Sequence, residues 1–161
     1  MDITFAPRGI LQIDNIDGRD IIFKNFEGRG DKFNREGDRN FSLRINSYET
    51  AEALKAQGWN VKVKPARDED EDDFMRLPIK VKFTDYGPKV YLWTGNRRNE
   101  LDEDSIGCLD QIEIESVNMD VRPYDWNVNG ASGRTAYLQV IEVYQRVDRF
   151  AARYAAVTEE Y

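Results

Sequence analysis

The chain has 161 residues, 40% hydrophobic and 33% charged, with a single cysteine and no histidine. That length and composition fit one soluble globular domain, 1–161, with its own core; they exclude a disordered chain, an internal disulfide and a cysteine-cluster zinc site. The missing histidine removes Ser-His and Cys-His catalysis, histidine-ligated zinc and an imidazole pH switch, and the net charge of −7 argues against a generic polyanion binder.

In chain order, Ile10 to Ile16 predicts a first strand turning at Asp17-Gly18, and Ile21 to Phe26 a second. A long Gly/Asn/Asp-rich loop follows before Asn40 to Ile45 returns as a strand. The stretch from Phe23 to Ile45 is unusual for a loop region. Phe26, Phe33 and Phe41 punctuate it, interleaved with Lys24, Arg29, Lys32, Arg35, Arg39 and Arg44. Rings among cations suit single-stranded nucleic acid, with faces for bases and charges for phosphates. The plainer reading is a structured loop whose phenylalanines plug the core, and Glu27, Asp31, Glu36 and Asp38 nearly balance its bases.

Ser47 predicts the N-cap of a helix from about Tyr48 to Gln57, ended by Gly58. Trp59 to Lys64 alternates, with Trp59, Val61 and Val63 on one side and Lys62 and Lys64 on the other. Pro65 stops it, and the acidic run Asp68 to Asp73 reads as a solvated loop. Leu77 to Thr84 alternates again, Asp85 to Pro88 turns, and Lys89 to Trp93 is expected to pair with it as a hairpin. The outer face of that hairpin would carry Lys80, Lys82, Lys89, Tyr91 and Trp93, a stacking platform with a phosphate rim. The alternative places Tyr91 and Trp93 under a C-terminal helix.

Leu101 to Leu109 suggests a short helix capped by Asp102. Gln111 to Val121 is a strand that changes phase, which a bulge near Glu115-Ser116 would explain. Tyr124 to Val128, a turn over Asn129 to Gly133, and Thr135 to Val147 predict a second hairpin. Asp148 opens a terminal helix, 148–161, with Phe150, Tyr154 and Val157 on one face and the short acidic end Thr158-Glu159-Glu160-Tyr161. That end is expected to stay anchored and to compete little for a basic groove.

Charge is segregated along the chain. From Glu100 to Asp120 every charged residue is acidic, whereas between Arg76 and Arg98 the only acid is Asp85. The carboxylates of Asp102, Glu103 and Asp104, or Glu113 and Glu115, are the sole candidates for holding Mg²⁺. They read instead as a helix start and an outward strand face. No nucleophile, base and orienting group can be named together, so no enzyme, cofactor or metal is expected. No apolar run approaches a membrane span, the N-terminus does not read as a signal peptide, and the lone thiol suits a reducing cytoplasm.

Several stretches together carry a resemblance: Asn25-Phe26-x-Gly28, then Lys32-Phe33-Asn34-x-x-Gly37-x-Arg39-Asn40-Phe41, Gly58-Trp59-Asn60-Val61-Lys62, Pro88-Lys89-Val90-Tyr91, Leu101-Asp102-Glu103-Asp104-Ser105, Arg122-Pro123-Tyr124 and Trp126-x-Val128-Asn129-Gly130. In order and spacing, from about Ile21 to Tyr144, these resemble a family of bacteriophage single-stranded DNA-binding proteins. The resemblance implies a mainly β, OB-like closed or strongly curved antiparallel barrel with a C-terminal helix. It also implies single-stranded DNA as partner, a role in phage replication or recombination alongside the phage's own replication or recombination proteins, and the cytoplasm of the infected bacterial host. An oligomer is compatible with it. The candidate contacts come from the residue pattern: Lys24, Phe26, Arg29, Lys32, Phe33, Arg35, Arg39, Lys62, Lys80, Lys82, Lys89, Tyr91 and Trp93. The competing reading is an acidic protein-interaction factor, an inhibitor or DNA mimic acting through the Glu100–Asp120 face.

Overall fold

The computed structural model describes residues 1–147. The helix expected from Asp148, and the tail ending at Tyr161, lie outside the described residues. Among the described residues the strands are β1 (Asp2–Phe5), β2 (Leu11–Asp17), β3 (Ile21–Asn25), β4 (Arg39–Ile45), β5 (Lys62–Lys64), β6 (Phe74–Val81), β7 (Lys89–Thr94), β8 (Arg97–Leu101), β9 (Ile114–Val128) and β10 (Ala131–Gln145), with one α-helix, α1 (Tyr48–Ala56). Local chemistry sets many of the boundaries. The Ser47 hydroxyl accepts from Thr50 N at 3.3 Å to cap α1, and Gly58 leaves it at φ +89°. Asn129 and Gly130, both at positive φ, join β9 to β10 as a two-residue turn matched to strand twist. Glu115 is the extra residue where Tyr144 faces Ser116 and Gln145 faces Ile114, so the phase change in β9 is a bulge.

The strands form one sheet in the order β1-β2-β9-β10-β6-β4-β3, with β5 on β6, β7 on β10 and β8 on β7. The expected barrel is not formed. The sheet neither closes nor curls strongly: among the described residues β1 pairs only with β2 and β3 only with β4, leaving two free ends. The edge of β10 explains the open form. Its Ala136–Tyr137 segment runs parallel to β6, but after an irregularity between Leu138 and Val140 its Val140–Tyr144 segment runs parallel to β7. The sheet therefore branches at β10 instead of returning to its first strand.

The core lies on one face. Leu11, Ile13, Leu43, Leu77, Ile79, Val117, Val121, Leu138 and Ile141 are buried there, joined by Ala51 and Leu54 of α1, Trp59, and Ile106 and Leu109 of a 3-10 turn. Strands that bury one face leave alternate side chains on the other, and the candidate site is built on that outer face. Among the described residues no helix is long and apolar enough to cross a membrane.

Candidate nucleic-acid interface

The outer face is organised around Phe23. Simple alternation would send Phe23 inward with Ile21. Instead the β3–β4 register shifts between Ile22 and Asn25, and Phe23 sits at φ +51° with its ring 61% exposed. A bulky residue in the left-handed region is strained, and such strain persists where the surroundings impose it, often at functional sites. Arg76 of β6 holds the ring. Its guanidinium carbon lies 5.3 Å from the ring centre, while its Nη1 donates to Ser42 Oγ at 2.8 Å.

Three concavities meet at this ring. The largest, about 670 Å³, runs along β4 and β6 between Asn40, Ser42, Pro78, Lys80, Lys82 and Phe83, with Tyr137 of β10 at its side. A second, about 500 Å³, continues past Lys62, Lys64, Arg67 and Phe74. A third, about 600 Å³, leads under the loop to Arg29 and Phe33. The pairings place Asn40 opposite Lys80 and Lys80 opposite Tyr137, while Tyr137 faces Arg122 on β9. Four strands thus carry a cross-row of polar, cationic and aromatic groups. The Arg122 guanidinium lies 4.8 Å from the Tyr137 ring, and Tyr124 meets that ring edge-on at 6.0 Å. Arg39 closes one end of the largest groove, 5.7 Å over Phe83 and 3.5 Å from Glu103, and its Nε is buried with no partner among the described residues.

The loop before β4 is rigidly tied despite its composition. Asn25 Oδ1 accepts from the Gly28 and Arg29 amides, and Asp31 Oδ1 from those of Phe33 and Asn34. Asn34 Nδ2 donates to three carbonyls, and Gly37 N donates to Gly28 O at 2.8 Å. Gly28 is buried at φ +78°, and a Cβ there would crowd Arg39 and Gly37 at 3.2 Å, so this closure needs glycine. Asp110 anchors the base, its two oxygens accepting from the Phe26 and Glu27 amides at 2.9 and 3.0 Å. At the tip Phe33 stands 93% exposed with Lys32 Nζ 5.9 Å from its centre.

The sequence-derived candidates fall into different places. Phe26 is fully buried and stacks on Phe41 at 5.0 Å, so it plugs the core and offers no face to a base. Lys24 donates to the Leu109 and Ile112 carbonyls from a part-buried position and holds the chain together rather than a phosphate. Arg29, Lys32, Phe33 and Arg35 belong to the exposed loop, and Lys62, Lys80, Lys82 and Arg39 line the concavities. The expected hairpin platform does not exist, because β7 pairs with β10 and β8 and not with β6. Lys89 is instead paired with Glu100 at 3.5 Å, and Tyr91 lies under Arg98 at 4.6 Å. Trp93 stacks half-buried on Tyr144 at 5.9 Å and 7°. Tyr144 O–H donates to Glu142, which raises its pKa. Phe23, Arg76, Arg122 and Tyr137 are not among the sequence-derived candidates, although Phe23 opens the stretch of interleaved rings and cations, Arg76 opens the basic segment and Arg122 stands beside Pro123-Tyr124; Tyr137 has no local signal.

The acidic segment is engaged within the protein. Asp102 Oδ1 accepts from Asp104 N, Ser105 N and Ser105 Oγ, each at 3.0 Å, and the Ser105 hydroxyl beside it holds the carboxyl below its usual pKa. Glu115 pairs with Arg146 at 2.8 Å. No group of three or more metal-ligating side chains gathers among the described residues.

A family model described as "Putative phage ssDNA-binding domain" matches residues 7–160. The fold is shared with solved structures of the single-stranded DNA-binding protein from bacteriophage Enc34. Its complex with ssDNA has a TM-score of 0.59 at 12% identity, covering 92% of this chain and 93% of that one. The same protein alone gives 0.57 at 12% identity, over 94% and 93%. A C-terminal truncation gives 0.56 at 10% identity, over 91% of each. No curated protein matches the chain.

Proposed function

This chain belongs to the phage single-stranded DNA-binding family, and from that premise we propose that it binds single-stranded DNA along the outer sheet face centred on Phe23. It is a binding protein and not an enzyme. The observation that carries the placement is Phe23 itself: an exposed, strained ring under Arg76, where three cation-lined concavities meet. Bases stack on Phe23, Tyr137 and the loop's Phe33, and phosphates run past Arg76, Lys80, Lys82, Lys62 and Lys64. Stacking of this kind tolerates any sequence, because every base has a π-face. Among the described residues the face carries no helix that could enter a major groove, so duplex is expected to be a poor ligand. The chain works as one domain, coating exposed strands during phage replication or recombination in the cytoplasm of the infected host. The acidic-mimic reading is weakened by the local uses of Asp102, Asp110 and Glu115.

Titration with oligothymidylate, followed by fluorescence anisotropy at several salt concentrations, tests this. Affinity should fall steeply with salt as counterions are released, and duplex of equal length should bind far more weakly. Equal binding to duplex and single strands would overturn the reading.

A further inference from the structure

We propose that the β9–β10 ribbon beyond the sheet, from Arg122 to Tyr137, is a second stacking arm that extends the single-stranded DNA track; this rests on the function proposed above. On β9 the buried residues Val117, Met119 and Val121 put Arg122, Tyr124, Trp126 and Val128 on the opposite, outer face. On β10 the buried Ala136 and Leu138 put Gly133, Thr135 and Tyr137 on that same face. The register sets Arg122 opposite Tyr137, Tyr124 opposite Thr135 and Trp126 opposite Gly133. A row of rings therefore leads outward from the groove: Tyr137, Tyr124, then Trp126.

The ribbon has little other reason to be aromatic. Pairing with β2 ends at Val121 and pairing with β6 begins at Ala136, so between them β9 and β10 have only each other, apart from a bridge from Trp59 to Arg134. An isolated two-stranded ribbon is marginal in water, and rings on it that stay partly exposed suit a binding role. Tyr124 is 54% exposed and Val128 58%. Trp126 is laid flat by its partner: a Cβ on Gly133 would lie 2.5 Å from its Cζ2, so only glycine lets the indole rest on the backbone. Trp126 still keeps 36% of its surface exposed, which leaves indole surface for a base.

Charge selects the occupant. Asp125 is the sole acid between Arg122 and Tyr137. It lies on the opposite face, held by Arg134 at 2.7 and 3.2 Å, while Arg134 covers Trp59 at 5.4 Å. The ring-bearing face is left with Arg122 as its only charge, which suits a polyanion with exposed bases. Its continuity with the Phe23 groove through Tyr137 makes the same strand of DNA the ligand for both.

The test compares four proteins of this sequence on long oligothymidylate: the parent, a Tyr124→Ala/Trp126→Ala variant, an Arg76→Ala/Lys80→Ala groove variant, and Trp126→Phe. Circular dichroism and melting check that each is folded, and Trp126→Phe, which keeps a ring, should bind like the parent. The arm variant should lose about tenfold or more in affinity and cover about two fewer nucleotides per chain at saturation, one per ring removed. If it keeps parental affinity and footprint while the groove variant weakens, the inference falls and the proposed function stands. If it changes sedimentation but not DNA binding, the face joins copies of the chain and the inference also falls. If the parent itself does not bind oligothymidylate, the function reading fails and the arm with it.

Discussion

Phe23→Gly should separate stability from DNA binding. The ring is 61% exposed, so about two-fifths of it is buried, and full burial of a Phe is worth roughly 1.5–3 kcal/mol. Its removal therefore costs about 1 kcal/mol of packing. Glycine at φ +51° relieves a left-handed penalty of about 1 kcal/mol, while its freedom in the unfolded chain takes back roughly 0.5–1 kcal/mol. The net loss is about 1 kcal/mol or less, or a melting shift below about 4 °C for a domain of this size. Loss of a stacking ring in the binding face costs about 1–3 kcal/mol of affinity, which is about 5- to 150-fold. Phe23→Ala keeps the strained backbone and should melt lower than the glycine variant, with the same loss of binding. Thermal melting and oligothymidylate titration on the same preparations read both quantities. A glycine variant that melts more than about 10 °C lower, or binds within about twofold of the parent, would show that Phe23 serves packing and refute the argument.

Arg76→Ala and Lys80→Ala should each lower the slope of log affinity against log salt by about one, measured by titration across a salt series. Trp93→Ala should lower the melting temperature by several degrees through loss of its stack on Tyr144, with DNA affinity within about threefold of the parent. Glu71 and Asp72 line the same concavity as Lys62, Lys64 and Arg76, so Glu71→Gln/Asp72→Asn should tighten binding severalfold at low salt and leave it unchanged at high salt. Burial, with repulsion from Asp14, raises the pKa of Asp120. The folded state then holds that proton more tightly than the unfolded chain, so the ionised group costs stability above its folded pKa and the cost fades as pH falls toward the unfolded value. Asp120→Asn should raise the melting temperature at pH 7 and lose that advantage near pH 3.

The sequence by itself determined what depends on neighbours in the chain. Ser47 and Gly58 delimit α1, Asn129-Gly130 turns β9 into β10, and the phase change around Glu115 is a bulge, because caps, tight turns and strand periods act over a few residues. It also showed the segregated charge and the ordered motifs that pointed to the family. Tertiary structure alone decided which rings are available. Phe26 and Phe33 sit in the same loop with similar neighbours, yet one is stacked in the core and the other stands in solvent, since Asp110, 84 residues away from Phe26, pins the loop base. Phe23 escapes its strand's alternation because one left-handed residue reverses the phase, which no periodicity records. The placement of β7 was equally hidden: Val90 and Leu92 can be buried against β6 or β10 with the same inward pattern. Only the parallel register of Val140–Tyr144, which closes a long loop for a non-local gain in burial, assigns Lys89, Tyr91 and Trp93 to a different region from Lys80 and Lys82. The same non-local pairing splits one edge of β10 between β6 and β7, and for that reason the sheet stays open.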